Sequence, residues 1–339
     1  MSGVSRFGLA RIAALFAGLA LVQPALAQTP LAQTPSAKTS RPLPIEAAAA
    51  RLARLVPPQP GQPRIVDGAQ AIPGSYPFQV ALILSNAPAG NEFAGFFCGG
   101  TLIGERHVLT ASHCFLSDGV DTAVAADVHV YLGHTGFRGG ERIPVTRLTR
   151  HPQWNAEKLV NDIAILELAH APAAGTRAGI IPVATRSAPA ETAKVIGWGA
   201  LNPGGQSSRY LRETRLAVVD RKTCDSTHAS YREKQSRAII SEVVNMIGLA
   251  KTAEDRIIKV IAEGAESPVG ENVICAGADI GKRSACFGDS GGPLFAEAED
   301  GTPTQIGVVS WGVGCSTREV YGVFTDVARY GDWLRAEMK

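Results

Sequence analysis

Along most of the chain the apolar residues come in short runs broken by turn formers. FQVALIL (78–84), GTLIGERHVLTA (100–111), VHVYLG (128–133), DIAILEL (162–168), AKVIGWG (193–199), RLAVV (215–219), QIGVVSWG (305–312) and GVFTDV (322–327) are rich in Val, Ile and Leu and separated by Gly, Pro and Asn. Such runs predict β-strands, and their number predicts an all-β protein of sandwich or barrel type. Two segments follow a helical period instead. The chain end, ARYGDWLRAEMK, sets Tyr330, Trp333 and Leu334 on one helical face. Within residues 236–264, Ile240, Val243, Val244 and Ile247 recur at helical spacing. The pattern resumes with Ile257, Ile258 and Ile261 after Thr252, the expected N-cap, with Glu254 and Asp255 in the first turn.

The first 64 residues share neither pattern. Residues 1–27 run from Arg6 and Arg11 through the apolar IAALFAGLALV to ALA before Gln28, which predicts a signal peptide removed after Ala27. No later segment reaches the roughly 18 uninterrupted apolar residues of a membrane span, so an exported chain with no membrane attachment after signal removal is expected. Residues 28–64 hold prolines at 30, 35, 42, 44, 57, 58, 60 and 63 and predict a linker or pro-segment, with one Ala-rich patch, IEAAAARLARLV, of amphipathic pattern. The folded body is then 65–339.

Charge supports that division. Residues 1–64 hold seven Lys and Arg against one acidic residue, a net of +6, so with +2 for the whole chain the body carries about −4. No cationic stripe remains to meet phosphates, which argues against a nucleic-acid partner. Six cysteines, at 98, 114, 224, 275, 286 and 315, all lie in the body, and in an exported chain they predict three disulfides. Counting alone leaves 15 pairings open. Close CxxC-type pairs are missing from the sequence, which argues against a zinc site, and no metal or cofactor is expected.

A serine hydroxyl is a poor nucleophile unless a base takes its proton and an acceptor holds that base in one tautomer. TASHC around His113, NDIAIL around Asp162 and CFGDSGGP around Ser290 could supply these parts. Singly, each has an ordinary explanation: a core histidine, an aspartate at a strand start, a serine in a turn. Together they describe an acyl-transfer site. The glycines permit a bend in which the amides of Gly288 and Ser290 converge as an oxyanion hole, each donor worth about 3 kcal/mol of barrier.

TASHC, NDIAIL, GDSGGP, SWG (310–312) and RIVDG (64–68) resemble, in the order His, Asp, Ser, the blocks of the chymotrypsin-like (trypsin-fold) serine endopeptidases. The resemblance covers 65–339 apart from the helical segment. It implies two six-stranded antiparallel β-barrels with the site between them. It also implies the pairings Cys98 with Cys114, Cys224 with Cys275 and Cys286 with Cys315. It makes His113 the general base, Asp162 its orienter and Ser290 the nucleophile. Ser310 is placed near Asp162, and the backbone of Ser310, Trp311 and Gly312 is expected to pair with extended substrate. RIVDG implies a zymogen: another protease cuts after Arg64, and the new ammonium of Ile65 pairs with Asp289.

Specificity follows from the same alignment of motifs. The floor of the pocket for the residue before the cut bond (P1) falls on Ser284, and its walls on Gly312 and Gly322. Without a carboxylate at the floor, burying a substrate Lys or Arg would be costly, so large apolar P1 residues are expected. Arg318 and Glu319 lie near the pocket entrance, and Tyr321 stands where many relatives have proline.

Three features depart from the family pattern. Ser112 replaces a usual alanine and Asp67 a common glycine. The interval between Cys224 and Cys275 holds 50 residues, far more than usual, and contains the helical segment. That segment is expected to be a surface hairpin packed by its own apolar face, or else a lid at the rim of the cleft. The loop GHTGFRGGERIPV after Leu132 is poor in carboxylates, so the calcium site of some relatives is not expected. Two other classes compete: a catalytically silent homologue that binds a partner, which usually loses a triad member, and an adhesive protein whose helical segment is the working part. A monomer acting on protein or peptide substrates accounts for the sequence.

Overall fold

The computed structural model describes residues 68–339 except 118–119, 122, 188–189, 201–206, 264–266, 268, 278–284, 287 and 314–319. Strands β1 (Ala69–Gln70), β2 (Gln79–Leu84), β3 (Phe96–Leu102), β4 (His107–Thr110), β5 (Leu116–Ser117), β6 (Val120–Asp121), β7 (Val128–Leu132), β8 (Glu141–Arg150) and β9 (Ala164–Leu168) form its first half. Six of them close an antiparallel barrel in the order β2–β3–β4–β9–β8–β7. The second half holds β10 (Thr192–Gly197), β11 (Arg212–Val219), β12 (Val273–Gly277), β13 (Pro293–Glu297), β14 (Pro303–Trp311) and β15 (Gly322–Asp326). These run β11–β10–β13–β14–β15–β12, and the pairing of β12 with β11 closes a second six-stranded barrel, to whose β11 the short β1 is added. The predicted two-barrel all-β class is what the chain adopts.

Closure explains the sequence pattern. All six residues of β2 are buried, and Val80, Leu82, Leu109, Val130 and Leu166 are fully so in one continuous core. Each such side chain contributes about 1.5–3 kcal/mol by leaving water. The same core runs into Ile196, Trp198, Phe295 and Val308 of the second barrel, where Phe78 and Phe295 meet edge to face with centroids 5.5 Å apart. The two barrels are thus wedded by apolar packing, which fixes the spacing of the loops between them.

Some strands lie outside the predicted runs, and each for a reason. The loop expected after Leu132 ends at Glu141, where β8 begins. Only Ile143 and Val145 of its ten residues are buried and Pro144 separates them, so no apolar run marks it. VICAG (β12) and PLFAE (β13) have apolar cores too short to read as runs and owe their place to barrel neighbours.

The helical expectation needs larger correction. Helix α1 (Arg221–Ile247) starts fifteen residues before 236, and α2 (Lys251–Glu263) follows it. Asp220 caps α1, its carboxylate accepting from Thr223 N–H at 2.9 Å, and Gly248 ends the helix in the left-handed region at φ +69°. Thr252 is the second residue of α2 and not its cap. The first half of α1, RKTCDSTHASYREKQ, has no apolar period; a disulfide and a cap place it instead. Val244 and Ile258 fill the seam between α1 and α2, whereas Val243 and Ile247 on one helix and Ile261 on the other remain 46%, 60% and 47% exposed. At the chain end a 3-10 turn (Val327–Tyr330) leads into α3 (Gly331–Glu337), which buries Tyr330 and Leu334 as expected. Among the described residues no helix is long and apolar enough to cross a membrane.

Candidate active site

His113 sits in a 3-10 turn (Ser112–Phe115) immediately after β4, and Asp162 lies two residues before β9, the strand paired with β4. That pairing brings the two side chains together. Asp162 is fully buried; its Oδ2 lies 2.7 Å from His113 Nδ1, and its Oδ1 accepts from the His113 backbone N–H at 2.9 Å. From the second barrel, Ser310 on β14 donates its hydroxyl to Asp162 Oδ2 at 2.5 Å, and Thr325 on β15 donates to the Asp162 carbonyl at 2.8 Å. Ser112 donates to the Ile163 carbonyl at 2.7 Å and so ties the histidine turn to the aspartate segment.

Electrostatics follow from this packing. Burial alone would push the Asp162 carboxyl up, but the charge and hydrogen bond of His113, with the hydroxyl of Ser310, hold it below the usual carboxylate range. Burial alone would push the imidazole down, and the Asp162 carboxylate outweighs it, so His113 titrates above the ordinary histidine value. Asp162 therefore remains an anion and His113 a strengthened base.

Ser290 lies in the loop before β13. Its carbonyl accepts from Gly99 N–H on β3 at 2.8 Å, and Gly99 follows Cys98, which is bridged to Cys114 next to His113. One strand and one disulfide thus tie nucleophile loop and histidine turn to the same place. Gly288 and Gly291 hold φ of +95° and +77°, and a Cβ on Gly291 would lie 2.2 Å from Thr110 Oγ1, so the bend admits no side chain there. The N–H of Asp289, Gly291 and Gly292 are spent on Cys286, Val309 and Asp289 carbonyls. Those of Gly288 and Ser290 have no acceptor among the described residues, and the Ser290 hydroxyl has none either. Two unspent donors flanking a nucleophilic oxygen are what an oxyanion requires.

Asp289 is buried, accepting from Gly199 N–H at 2.8 Å and Cys286 N–H at 2.9 Å, with no cation beside it among the described residues. Burial pushes its carboxyl up to about 6, the two amides only partly opposing. The folded chain therefore binds this proton more tightly than the unfolded chain, whose value is near 3.8. Its contribution is fullest below the unfolded value and is lost as pH rises to about 6, a loss of about 3 kcal/mol. Urea midpoints of the uncleaved chain, followed from acid to neutral pH, should fall over this window and stay flat relative to it in Asp289→Asn. A parallel fall in both proteins would refute the assignment.

Other expected site residues are placed less completely. Arg64, Ile65, Ser284 and Cys315, and with them Arg318 and Glu319, lie outside the described residues. Cys224 is bridged to Cys275, and Cys286 is disulfide-bonded. Gly312 and Gly322 lie side by side, a Cβ on the first lying 3.9 Å from the Cα of the second. Cys98, Cys114 and His113 have atoms within 4.8 Å of one another, but both sulfurs are consumed by a disulfide and offer no thiolate to a metal.

Two residues given no role in the sequence analysis also support the site. Asn161 holds φ +56°, which asparagine tolerates, and is pinned by donating to the Gln153 carbonyl and accepting from Tyr330 Oη at 2.9 Å. His228, buried on α1, packs its ring against Trp311 with centroids 5.0 Å apart and sets Nε2 2.9 Å from the Tyr321 carbonyl. It thereby joins α1 to the strands that carry Gly312 and Gly322. No local pattern distinguishes His228 from any polar helix residue.

Two closed barrels, a buried aspartate bonded to a histidine, and a glycine-flanked serine tethered beside them define a serine endopeptidase of the chymotrypsin-like class. The family model described as Trypsin matches residues 65–334, and the chain belongs to that family. It is 29% identical to Trypsin Blo t 3 of Blomia tropicalis over 279 residues, covering 80% of this chain and 85% of that one. Trypsin of Sarcophaga bullata is 30% identical over 81% of this chain and 89% of its own length. Serine protease 56 of Homo sapiens is 32% identical over 81% of this chain, which spans only 39% of that longer protein.

Proposed function

We propose that the chain is exported, held as a zymogen by residues 28–64, and activated by another protease that cuts after Arg64. The mature body, 65–339, then hydrolyses peptide bonds through an acyl-enzyme. Ser290 Oγ attacks the scissile carbonyl carbon while His113 Nε2 takes its proton. The carbonyl oxygen becomes an oxyanion received by the N–H of Gly288 and Ser290. Collapse expels the amine, protonated by His113, and leaves an ester on Ser290. Water then attacks the ester by the same route, and Asp162 stays ionised throughout. The observation that carries this reading is the continuous link from Ser310 through Asp162 to His113, with the Ser290 carbonyl bonded to Gly99 alongside. The serine–histidine hydrogen bond is the one link still to be drawn together, and such bonds commonly tighten only when substrate excludes water.

Substrate would lie extended along Ser310, Trp311 and Gly312, adding a strand to the cleft wall. Ser284 at the floor and Gly312 and Gly322 at the walls favour Phe, Tyr, Leu or Met as P1. Because Ser284 cannot neutralise a basic P1, self-cleavage after Arg64 should be poor, which is why an activating protease is needed. Mass-spectrometric mapping of cuts in a denatured protein mixture tests this reading, using the chain beginning at Ile65 beside its Ser290→Ala twin. Cuts after large apolar residues, missing from the twin, are expected. Cuts after Lys or Arg would overturn the pocket, and identical fragments from both proteins would overturn the mechanism.

A further inference from the structure

Away from the Asp162–His113 pair lies a cavity of about 790 Å³, lined from five segments of the chain. Three exposed arginines line it: Arg138 and Arg177 from separate loops, and Arg209 just before β11. Among the described residues none of the three has an ion pair or hydrogen bond. Arg209 lies over the Phe93 ring at 4.7 Å, a contact that uses the face of the guanidinium and leaves its N–H groups unspent. The one acidic lining residue, Glu141, is already engaged, accepting from Ala173 N–H at 2.9 Å and from the Thr176 hydroxyl. His134 adds no charge at neutral pH, because burial pushes its imidazole down to about 4.

The lining also holds polar atoms without partners. Gln79, 2% exposed, reaches the cavity, and its Oε1 makes no hydrogen bond; the same is true of His134 Nε2. Gln79 also approaches the nucleophile loop: a Cβ on Gly99, whose N–H is bonded to the Ser290 carbonyl, would lie 3.3 Å from Gln79 Nε2.

We propose that this cavity is a docking site for an acidic peptide segment of a protein partner, one carrying several Asp or Glu side chains. Convergent cations in a concavity focus a positive potential, and guanidinium groups take carboxylates in paired hydrogen bonds. The setting makes the charge selective: it belongs to a body that carries about −4 overall, where a net positive recess is not the background. Charge also excludes the chain's own pro-segment as occupant. Residues 28–64 hold Lys38, Arg41, Arg51, Arg54 and Arg64 against Glu46 alone, and would be repelled. The proposal concerns binding and does not depend on the catalytic roles assigned above.

The test is fluorescence anisotropy of labelled octaglutamate on the full chain carrying Ser290→Ala, with labelled octaglutamine beside it. Octaglutamate should bind, octaglutamine should not, and binding should weaken between about 50 mM and about 300 mM salt. Arg138→Glu/Arg177→Glu/Arg209→Glu should weaken it by about tenfold or more. Arg237→Glu/Arg329→Glu/Arg335→Glu, with the same change in net charge elsewhere, should leave it near the parent value. Arg138→Gln/Arg177→Gln/Arg209→Gln repeats the measurement without added negative charge, should the reversal variant fail to fold. Equal binding of the two peptides, or equal loss in the cavity and control variants, would overturn the proposal.

Discussion

Asp162→Asn should lower kcat by about 10⁴-fold, the scale of the same exchange in a related enzyme, while leaving KM within a few-fold. As a carboxylate, Asp162 can only accept, so His113 Nδ1 must carry the proton and Nε2 is left unprotonated, able to act as a base. An asparagine amide can also donate, which permits the opposite tautomer and leaves Nε2 protonated and useless as a base. The same substitution removes the charge that raises the imidazole. Wild-type kcat/KM should rise with pH through an ionisation above the ordinary histidine value, and the variant's rise should lie lower. A variant within about tenfold of wild type, or one with an unmoved acidic limb, would show that Asp162 does not orient His113.

Arg64→Gln should leave an uncleaved chain whose kcat/KM is lower by about 10²–10³-fold, the cost of a lost oxyanion donor. The reason lies in Asp289, whose buried carboxylate has two amides but no cation beside it among the described residues. A new ammonium at Ile65 would supply that cation and lock the loop that carries the proposed oxyanion donors, the amides of Gly288 and Ser290. Supplying the chain already begun at Ile65 should restore activity and also abolish the loss of stability between acid and neutral pH, since the pair would hold Asp289 ionised. Full activity in uncleaved Arg64→Gln would sink the activation scheme, and inactivity of the chain begun at Ile65 would place the defect elsewhere.

The legible part of the fold was the part buried on both faces. VALIL of β2 is buried throughout, and in AILEL of β9 Glu167 alone reaches the surface, so nearly continuous apolar runs mark both. ERIPVTRLTR of β8 does not, because most of its side chains reach solvent and its place is dictated by β7 and β9 on either side. The helices show the same division: the apolar spacing near Val244 was visible, but the true start at Arg221 depends on a cap and a disulfide.

By itself the sequence determined the all-β class, the residue types of the site and the glycines its loop requires, while the two-barrel form followed only from the resemblance of its motifs to the chymotrypsin-like endopeptidases. These are written locally, as runs of side chains, as a hydroxyl between glycines, and as turns with positive φ. Only the tertiary structure decided which groups meet. Asp162 reaches His113 because β4 pairs with β9, and Ser310 reaches Asp162 from the other barrel across 148 residues of chain. His228 is joined to the Trp311 wall, and three arginines far apart in sequence come to line one cavity. Proximity of that kind is set by barrel closure and by the packing of one barrel on the other, a property of the whole chain that no short stretch encodes.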